Sequence, residues 1–141
     1  MTARRRIPAR SAWAGTLAYS RAVVHGQQVW VSGTLPVDAQ GELVGGDDAY
    51  LQARQVLALI VSALDEAGSS AAQVVRLRIH LRDYGDLAAI ARAQWEVFEH
   101  IRPACSVVQM SFNNPAYRVQ MEADAVLDTA PTESTRPETP A

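Results

Sequence analysis

The chain has 141 residues, of which 48% are hydrophobic and 20% charged, a composition typical of one globular domain with its own core. A formal net charge of −2 gives no overall field that would attract nucleic acid or an anionic membrane. All 13 basic residues are arginine and there is one cysteine. This excludes lysine Schiff-base chemistry, an internal disulfide and a metal site built from several thiolates.

Residues 1–16 are polar and basic without a clear period, and we predict a flexible arm there. No apolar run of signal-peptide length follows its arginines (Arg4, Arg5, Arg6 and Arg10). No stretch approaches the roughly 18 apolar residues of a membrane span. We therefore expect a cytoplasmic protein with no membrane partner and no nucleic-acid partner.

The next two segments, residues 17–24 and 28–32, predict two strands around the turn-like pair His25–Gly26. Gly33 follows the second strand at once, and a glycine at this point often permits close approach by a neighbour or ligand. Residues 35–46 predict a loop.

Two helices are predicted, over residues 49–67 and 87–100. An aspartate of Asp47–Asp48 precedes the first helix as a cap, and Gly68 provides its stop. Helical spacing predicts the apolar face of the first helix to contain Leu51, Val56, Leu59, Ile60, Ala63 and Leu64. The same spacing predicts that the apolar face of the second helix contains Leu87, Ile90, Ala91, Trp95 and Phe98.

Between the helices, residues 74–82 predict an inner strand. Its apolar face would carry Val75, Leu77, Ile79 and Leu81, and its polar face Arg76, Arg78, His80 and Arg82. Residues 105–111 and 118–127 predict a terminal hairpin around the turn signal Asn113-Asn114-Pro115. The last strand presents a polar face of Arg118, Gln120, Glu122 and Asp124. Residues 128–141 are rich in Pro, Thr and Glu and predict a disordered tail.

The element order β-β-α-β-α-β-β predicts one α+β domain over residues 17–127, a mixed sheet with both helices packed on one face. The polar faces of the inner and last strands then point away from the helices. Because their charges are opposite, they can pair between neighbouring strands or line a subunit interface. We expect an oligomer.

Several sequence pieces between Tyr19 and Leu127 resemble the YjgF/RidA family in order and spacing. The pieces are Tyr19 to Val23, Val29 to Thr34, Gly41 to Gly46, Gln52 to Gln55, Leu64 to Gly68, Arg92–Ala93 with Val97–Phe98, Arg102 to Ala104 and Met121 to Val126. The resemblance implies a chorismate mutase-like fold and a homotrimer with clefts between subunits for a small-molecule ligand. It also implies hydrolysis of reactive enamines and imines, such as 2-aminoacrylate, to keto acids and ammonia. No cofactor is implied, and three scattered histidines predict no metal site.

The chemistry of this family uses an arginine that holds the substrate carboxylate and a glutamate that activates water. The family's arginine follows a Pro-Ala pair, where this chain has Cys105. The family's glutamate precedes a hydrophobic-Glu pair, where this chain has Gln120 before Met121–Glu122. A thiol cannot clamp a carboxylate, and an amide orients water but cannot take its proton. The chain thus resembles an arginine-lacking branch of the family.

The resemblance also indicates which residues border the cleft: Tyr19, Arg21, Ser32, Gly33, Gln94 and Trp95, with Cys105 and Gln120. Arg21 is the candidate replacement for the anion clamp. The candidate catalytic residues are Cys105, Gln120 and Glu122. For each of them a purely structural role is an alternative. Cys105 can be a small buried hydrophobe, although His80 or His100 can approach it in space. Gln120 can be structural, and Glu122 can pair with Arg76 or Arg78.

Three functions stay open at this point. The first is a trimeric protein whose cleft between subunits takes a small imine, enamine or carbonyl metabolite, with hydrolytic deamination as its reaction if it is an enzyme. The second is a non-catalytic binding or protective module that kept the cleft and lost the deaminase residues. The third, an RNA-cleaving or translation-inhibiting protein as proposed for relatives, has the least support because the chain has a net negative charge and contains no lysine.

Overall fold

The structure, a computed structural model, describes residues 3–128, which form a six-stranded sheet covered by helices. The strands are β1 (Arg4–Pro8), β2 (Ser20–His25), β3 (Gln28–Thr34), β4 (Val74–Leu81), β5 (Ala104–Gln109) and β6 (Val119–Val126). The helices are the single turn α1 (Ala14–Leu17), α2 (Ala49–Ala67) and α3 (Leu87–Phe98), with two short 3-10 turns, Ala71–Gln73 and Tyr84–Asp86.

The sheet runs in the order β1-β2-β3-β6-β4-β5 and is mixed, since β4 and β5 pair in parallel and the other neighbours antiparallel. Helix α2 packs on β2, β3 and β6, and α3 packs against α2. Both helices contribute to one core with the strands, so the predicted α+β layering is confirmed. Among residues 3–128 no helix has the length and apolarity that a membrane crossing requires.

Helix α2 has the predicted bounds because both ends are capped. The Asp48 carboxylate accepts hydrogen bonds from the backbone N–H groups of Tyr50 (2.9 Å) and Leu51 (3.1 Å). Gly68 ends the helix with φ 85°. Its predicted apolar face is partly wrong, because Leu51 is 44% exposed while the polar Gln52 is fully buried.

The predicted alternation of β4 is confirmed from Leu77 to Leu81 but wrong at Val75. The pairing with β6 is irregular between Val74 and Arg76, and such an irregularity shifts the side-chain alternation by one residue. Val74 is therefore buried and Val75 is 52% exposed. In α3, which ends at Phe98, the predicted core residues Ala91 and Trp95 are exposed.

The start of the chain also differs from the prediction. Residues 4–8 of the predicted flexible arm form β1, an edge strand on β2, and Ile7 is buried. The Arg5 guanidinium donates to the carbonyls of Glu66 (3.4 Å) and Ala67 (2.6 Å) at the end of α2, where helix carbonyls lack partners. Of the predicted tail over 128–141, only Asp128 lies within the described residues.

The predicted terminal hairpin is wrong, because β4 lies between β5 and β6. Strand β5 pairs with β4, with Cys105 opposite Leu77, while β6 pairs with β4 and β3. The turn signal was read correctly as a loop, but residues 110–118 are long enough to pass across one strand. Cys105 and Gln120 are therefore not on neighbouring strands.

The sheet face without helices, here called the open face, carries paired charges. Arg78 Nη1 lies 3.1 Å from Glu122 Oε1 and 3.3 Å from Asp124 Oδ2. The predicted cross-strand pairing of the basic and acidic strands is confirmed. Trp30 is 40% exposed and lies opposite Asp124 in the pairing of β3 with β6.

Candidate functional site

The predicted site residues form two groups on opposite faces of the sheet. Cys105 is in register with the core residue Leu77, which places its side chain on the helix-covered face. Gln120 is in register with His80 and precedes the buried Met121, which places it on the open face. A single chain does not bring Cys105 and Gln120 together.

The first group lines a groove of about 340 Å³ between α3 and β5, here called the helix-side groove. Apolar side chains form its floor, and its polar members include Gln94, Arg102 and Cys105. Cys105 is exposed in the single chain, so it does not belong to this domain's own hydrophobic core. Gln94 Nε2 lies 3.7 Å from its sulfur. His80, which was expected to approach Cys105 in space, lies on the opposite face, because it neighbours the helix-facing Ile79 and Leu81 on β4.

Arg102 is a member of the groove that sequence reasoning missed. Its guanidinium lies over the Trp95 ring, 4.8 Å from the centroid, a cation–π contact. Its Nε donates to the carbonyl of Glu99 at 2.6 Å, and its backbone is left-handed with φ 56°. Arg102 lies beyond the end of α3 in a left-handed turn, so helical spacing provided no signal for this contact in the sequence.

The second group is a row of polar residues across the open face, here called the open-face row: Arg21, Ser32, Gly33, Gln120 and His80. Arg21 Nη2 donates to the Ser32 carbonyl at 2.7 Å and to the Thr34 hydroxyl. Burial lowers the pKa of the Arg21 guanidinium, which a nearby Tyr19 partly opposes. One terminal nitrogen of the guanidinium is therefore engaged within the chain, and its Nε is buried without a partner among residues 3–128, so Arg21 cannot offer two accessible nitrogens on one edge as readily as an exposed arginine.

Tyr19, a further predicted residue, directly precedes β2 at the end of this row, near Ser32. The Tyr19 hydroxyl is 2.5 Å from Ser11 Oγ, and the Ser32 hydroxyl donates to the Ser20 carbonyl at 2.6 Å. The second contact ties the start of β2 to β3, and the first joins Tyr19 to the segment before α1. Both hydroxyls are used within the chain.

Gly33 and Gln120 are in close contact. A β-carbon placed on Gly33 would lie 3.0 Å from Gln120 Nε2 and 3.1 Å from its Cδ. The expectation that Gly33 permits a close approach is confirmed, and the neighbour is the Gln120 amide.

His80 completes the row and was not among the predicted site residues. It stands directly opposite Gln120 in the pairing of β4 with β6. Its Nδ1 is buried and has no hydrogen-bond partner among residues 3–128. The alternation of β4 in the sequence predicted that His80 lies on the polar face of that strand. That Gln120 is its neighbour follows only from the strand order.

Glu122 was considered as a surrogate base or as the partner of an arginine. Its Oε1 forms an ion pair with Arg78 Nη1 at 3.1 Å, which agrees with the second alternative. The same arginine also contacts Asp124. Within residues 3–128 no three or more His, Cys, Asp or Glu side chains are grouped as a metal site requires.

The loop before Gln120 is held by the buried amide of Gln52. Its Nε2 donates to the carbonyls of Gly46 (2.7 Å) and Ala116 (3.0 Å), and its Oε1 accepts from the Arg118 N–H at 2.8 Å. The Arg118 guanidinium binds Asp47 (2.6 Å) and Asp86 (3.0 Å), and these hydrogen bonds raise its pKa. Strand β6 therefore starts from a fixed position.

Comparisons with known proteins identify relatives in sequence and in fold. A family model described as endoribonuclease L-PSP matches residues 9–127. A crystal structure of a YjgF/YER057c/UK114 family member from Mycobacterium tuberculosis is similar, with a TM-score of 0.79 and 33% identity, covering 89% of this chain and 100% of that one. The YjgF gene product of E. coli has a TM-score of 0.74 and 26% identity over 86% of this chain and 98% of that one.

Two curated proteins are similar in sequence. A RutC family protein from Pyrococcus abyssi is 34% identical over 108 residues, which cover 76% of this chain and 84% of that protein. The 3-aminoacrylate deaminase RutC of Acinetobacter baylyi is 37% identical over 97 residues, 69% of this chain and 77% of that protein.

Proposed function

Because this chain belongs to the endoribonuclease L-PSP family, also called YjgF/RidA, we propose that it is a homotrimeric imine and enamine hydrolase. Its substrate is a small imine or enamine carrying a carboxylate, and the products are a keto acid and ammonia. The reaction takes place in a cleft between two protomers.

One observation carries this proposal: the helix-side groove and the open-face row lie on opposite faces of the same sheet. By resemblance, the positions of Cys105 and Gln120 act on one substrate. A single chain cannot present both to one small molecule. A second copy that sets its open-face row against the groove of the first completes the site.

The exposed surface supports an assembly of this kind. Strand β5 is an edge strand with little cover on either face, and Val108 is 49% exposed and Met110 36%. Trp30 on the open face is 40% exposed. Exposed apolar groups clustered on a sheet are typical of surfaces that a partner covers.

For the anion holder we propose Arg102 in preference to Arg21. Arg102 lies in the same groove as Cys105, and its position is set by Trp95 and by the Glu99 carbonyl. Its two terminal nitrogens have no hydrogen-bond partner among residues 3–128. A guanidinium with both terminal nitrogens available can hold a carboxylate bidentately.

The substrate class is supported by the RutC relative, which is named for its action on 3-aminoacrylate. That compound is an enamine with a carboxylate. The helix-side groove offers apolar walls beside one cation, which suits a short carbon chain ending in a carboxylate.

The test combines mass and activity. The protein is purified and its molar mass is determined by light scattering, and hydrolysis of 2-aminoacrylate and 3-aminoacrylate generated in situ is followed against buffer. We expect a trimer and accelerated loss of at least one compound. A monomer would overturn the shared cleft.

A second function is favoured by a specific observation, the replacement of both family working residues by Cys105 and Gln120. In this case the trimer binds a small metabolite without reacting with it. A trimer that binds pyruvate or a similar acid but hydrolyses neither enamine would select this function. Activity that appears in the double variant Cys105→Arg, Gln120→Glu would then show that only these side chains were missing.

A further inference from the structure

We propose that His80 is the general base of this site and takes over the proton transfer that Gln120 cannot perform. This inference rests on the proposed hydrolase function and deepens it. It gives the amide and the imidazole separate tasks: Gln120 orients the attacking water, and His80 accepts its proton.

The strand register places the two side chains next to each other. His80 and Gln120 are directly opposite in the antiparallel pair of β4 and β6, where β-carbons lie about 4.5–5.5 Å apart. Both point to the open face, because the residues beside them in sequence, Ile79, Leu81 and Met121, are buried in the core. One water molecule can therefore contact both groups.

The imidazole also has an unused nitrogen. His80 Nδ1 is buried and has no partner among residues 3–128. Buried polar atoms are hydrogen-bonded in the large majority of cases, so an unpaired one calls for an explanation. Because Nδ1 is buried, the imidazole nitrogen that can meet water on the open face is Nε2, which forms no hydrogen bond within residues 3–128, and we assign the proton transfer to Nε2.

The residues that surround His80 on β4, β5 and β6 form no hydrogen bond or ion pair with its imidazole. From β5 it faces the uncharged Val108, and from β6 the neutral Gln120. The nearest charged groups on its own strand have other partners. Arg78 is bound to Glu122 and Asp124, and Arg82 donates to the Pro115 carbonyl.

In the proposed reaction, His80 carries a proton twice between the reacting groups. His80 takes a proton from water as the water oxygen bonds to the imine carbon, and the electron pair of the C=N bond moves to nitrogen, which receives that proton from the imidazolium. His80 then accepts the hydroxyl proton while the C–N bond breaks, and it returns a proton to the departing ammonia. The sum is imine plus water to a carbonyl compound (a ketone from 2-aminoacrylate, an aldehyde from 3-aminoacrylate) plus ammonia, with neutral imidazole restored.

The experiment compares His80→Gln and His80→Phe with the wild-type protein, and uses His100→Gln, at an exposed position outside the site, as the matched control. We expect both His80 variants to remain trimers that bind pyruvate with unchanged affinity. We expect their hydrolysis rates to fall by about 100-fold or more, the usual effect of removing a general base. Added imidazole should restore part of the rate, and Gln120→Glu should restore it in the His80→Gln background.

The pH profile separates a base from a structural residue. The wild-type rate should fall as an imidazole becomes protonated, and this limb should be absent from His80→Gln. If the wild-type protein is active and both His80 variants keep its rate and profile, the role of His80 is overturned while the hydrolase function stands. A wild-type protein that hydrolyses neither enamine would overturn both.

Discussion

The amide of Gln120 lies against the backbone of Gly33 so closely that a β-carbon at position 33 would be 3.0 Å from Nε2. The pairing of β3 with β6 is irregular at this point, between Val31 and Thr34. The amide can hold this position because residue 33 has no side chain, and a β-carbon there would push it aside by a few tenths of an ångström. The orientation of Gln120 therefore depends on its neighbour strand.

Gly33→Ala should impair the site more than the fold. The added methyl group would displace the end of a flexible glutamine, so we expect the hydrolysis rate or ligand affinity to fall by about tenfold, a loss of about 1.4 kcal/mol. The unfolding midpoint should hardly change. Gly15→Ala, where a β-carbon meets nothing within 4 Å, is the control, and equal activity of the two variants would contradict the prediction.

Arg102→Ala should weaken the binding of small carboxylates about 10- to 100-fold, because hydrogen bonds to charged groups contribute about 1.5–3 kcal/mol. Arg102→Lys should recover only part of the affinity, since an ammonium lacks the planar fork. Titration calorimetry with pyruvate measures both. Unchanged affinity in Arg102→Ala would return the anion-holding role to Arg21.

Gln52→Ala should destabilise the protein by about 2–4 kcal/mol, because three backbone groups lose their partner and buried unsatisfied groups are costly. Gln55→Ala is a matched control that removes one hydrogen bond, to the Val37 carbonyl at 2.7 Å, and should cost about 1 kcal/mol. Urea unfolding monitored by circular dichroism gives both values. Similar losses in the two variants would mean that Gln52 does not hold the loop before β6.

The phenol of Tyr50 should titrate above the ordinary value of 10.0. Its hydroxyl donates to Glu96 Oε1 at 2.6 Å, which is the main cause of the raised pKa, and nearby Arg54 and Arg92 oppose it. Since the folded pKa lies above the unfolded one, this stabilisation is complete below pH 10 and is lost as the pH rises through the folded value.

Ultraviolet titration at alkaline pH measures this pKa as the difference between the wild-type protein and Tyr50→Phe. Glu96→Gln should lower it, because the acceptor loses its charge. A Tyr50 pKa that does not respond to Glu96→Gln would show that the carboxylate is not the cause.

Val108→Glu should convert the trimer to monomers, because it places a charge on the exposed edge strand that we assign to the subunit contact. Leu51→Glu is the matched control, since Leu51 is 44% exposed on α2 in the helix layer. Sedimentation velocity distinguishes the masses, and circular dichroism checks the fold. A trimer that tolerates Val108→Glu would place the interface elsewhere.

Local signals predicted the helices well. Asp48 and Gly68 mark both ends of α2 by capping chemistry that needs no tertiary contact, and the predicted bounds agree with the structure. The alternation of β6 was also read correctly, because a strand between two others shows its inner face directly in the sequence.

What the sequence concealed depends on tertiary context. The burial of Gln52 depends on a loop more than 60 residues away, and the exposure of Val75 on an irregular strand pairing. Helical spacing assigned Trp95 to the core, but its side chain is exposed and its ring contacts the Arg102 guanidinium, which comes from beyond the helix. The separation of β5 from β6 is a property of strand order, and for this reason the proximity of His80 to Gln120 could not be predicted.

Strand β1 has a consequence for how this protein should be handled. It covers the outer edge of β2, whose backbone groups would otherwise be available to pair with another chain, and Arg5 fastens it to the end of α2. Removing the first eight residues, by engineering or by a protease, would uncover that edge and invite strand-mediated aggregation.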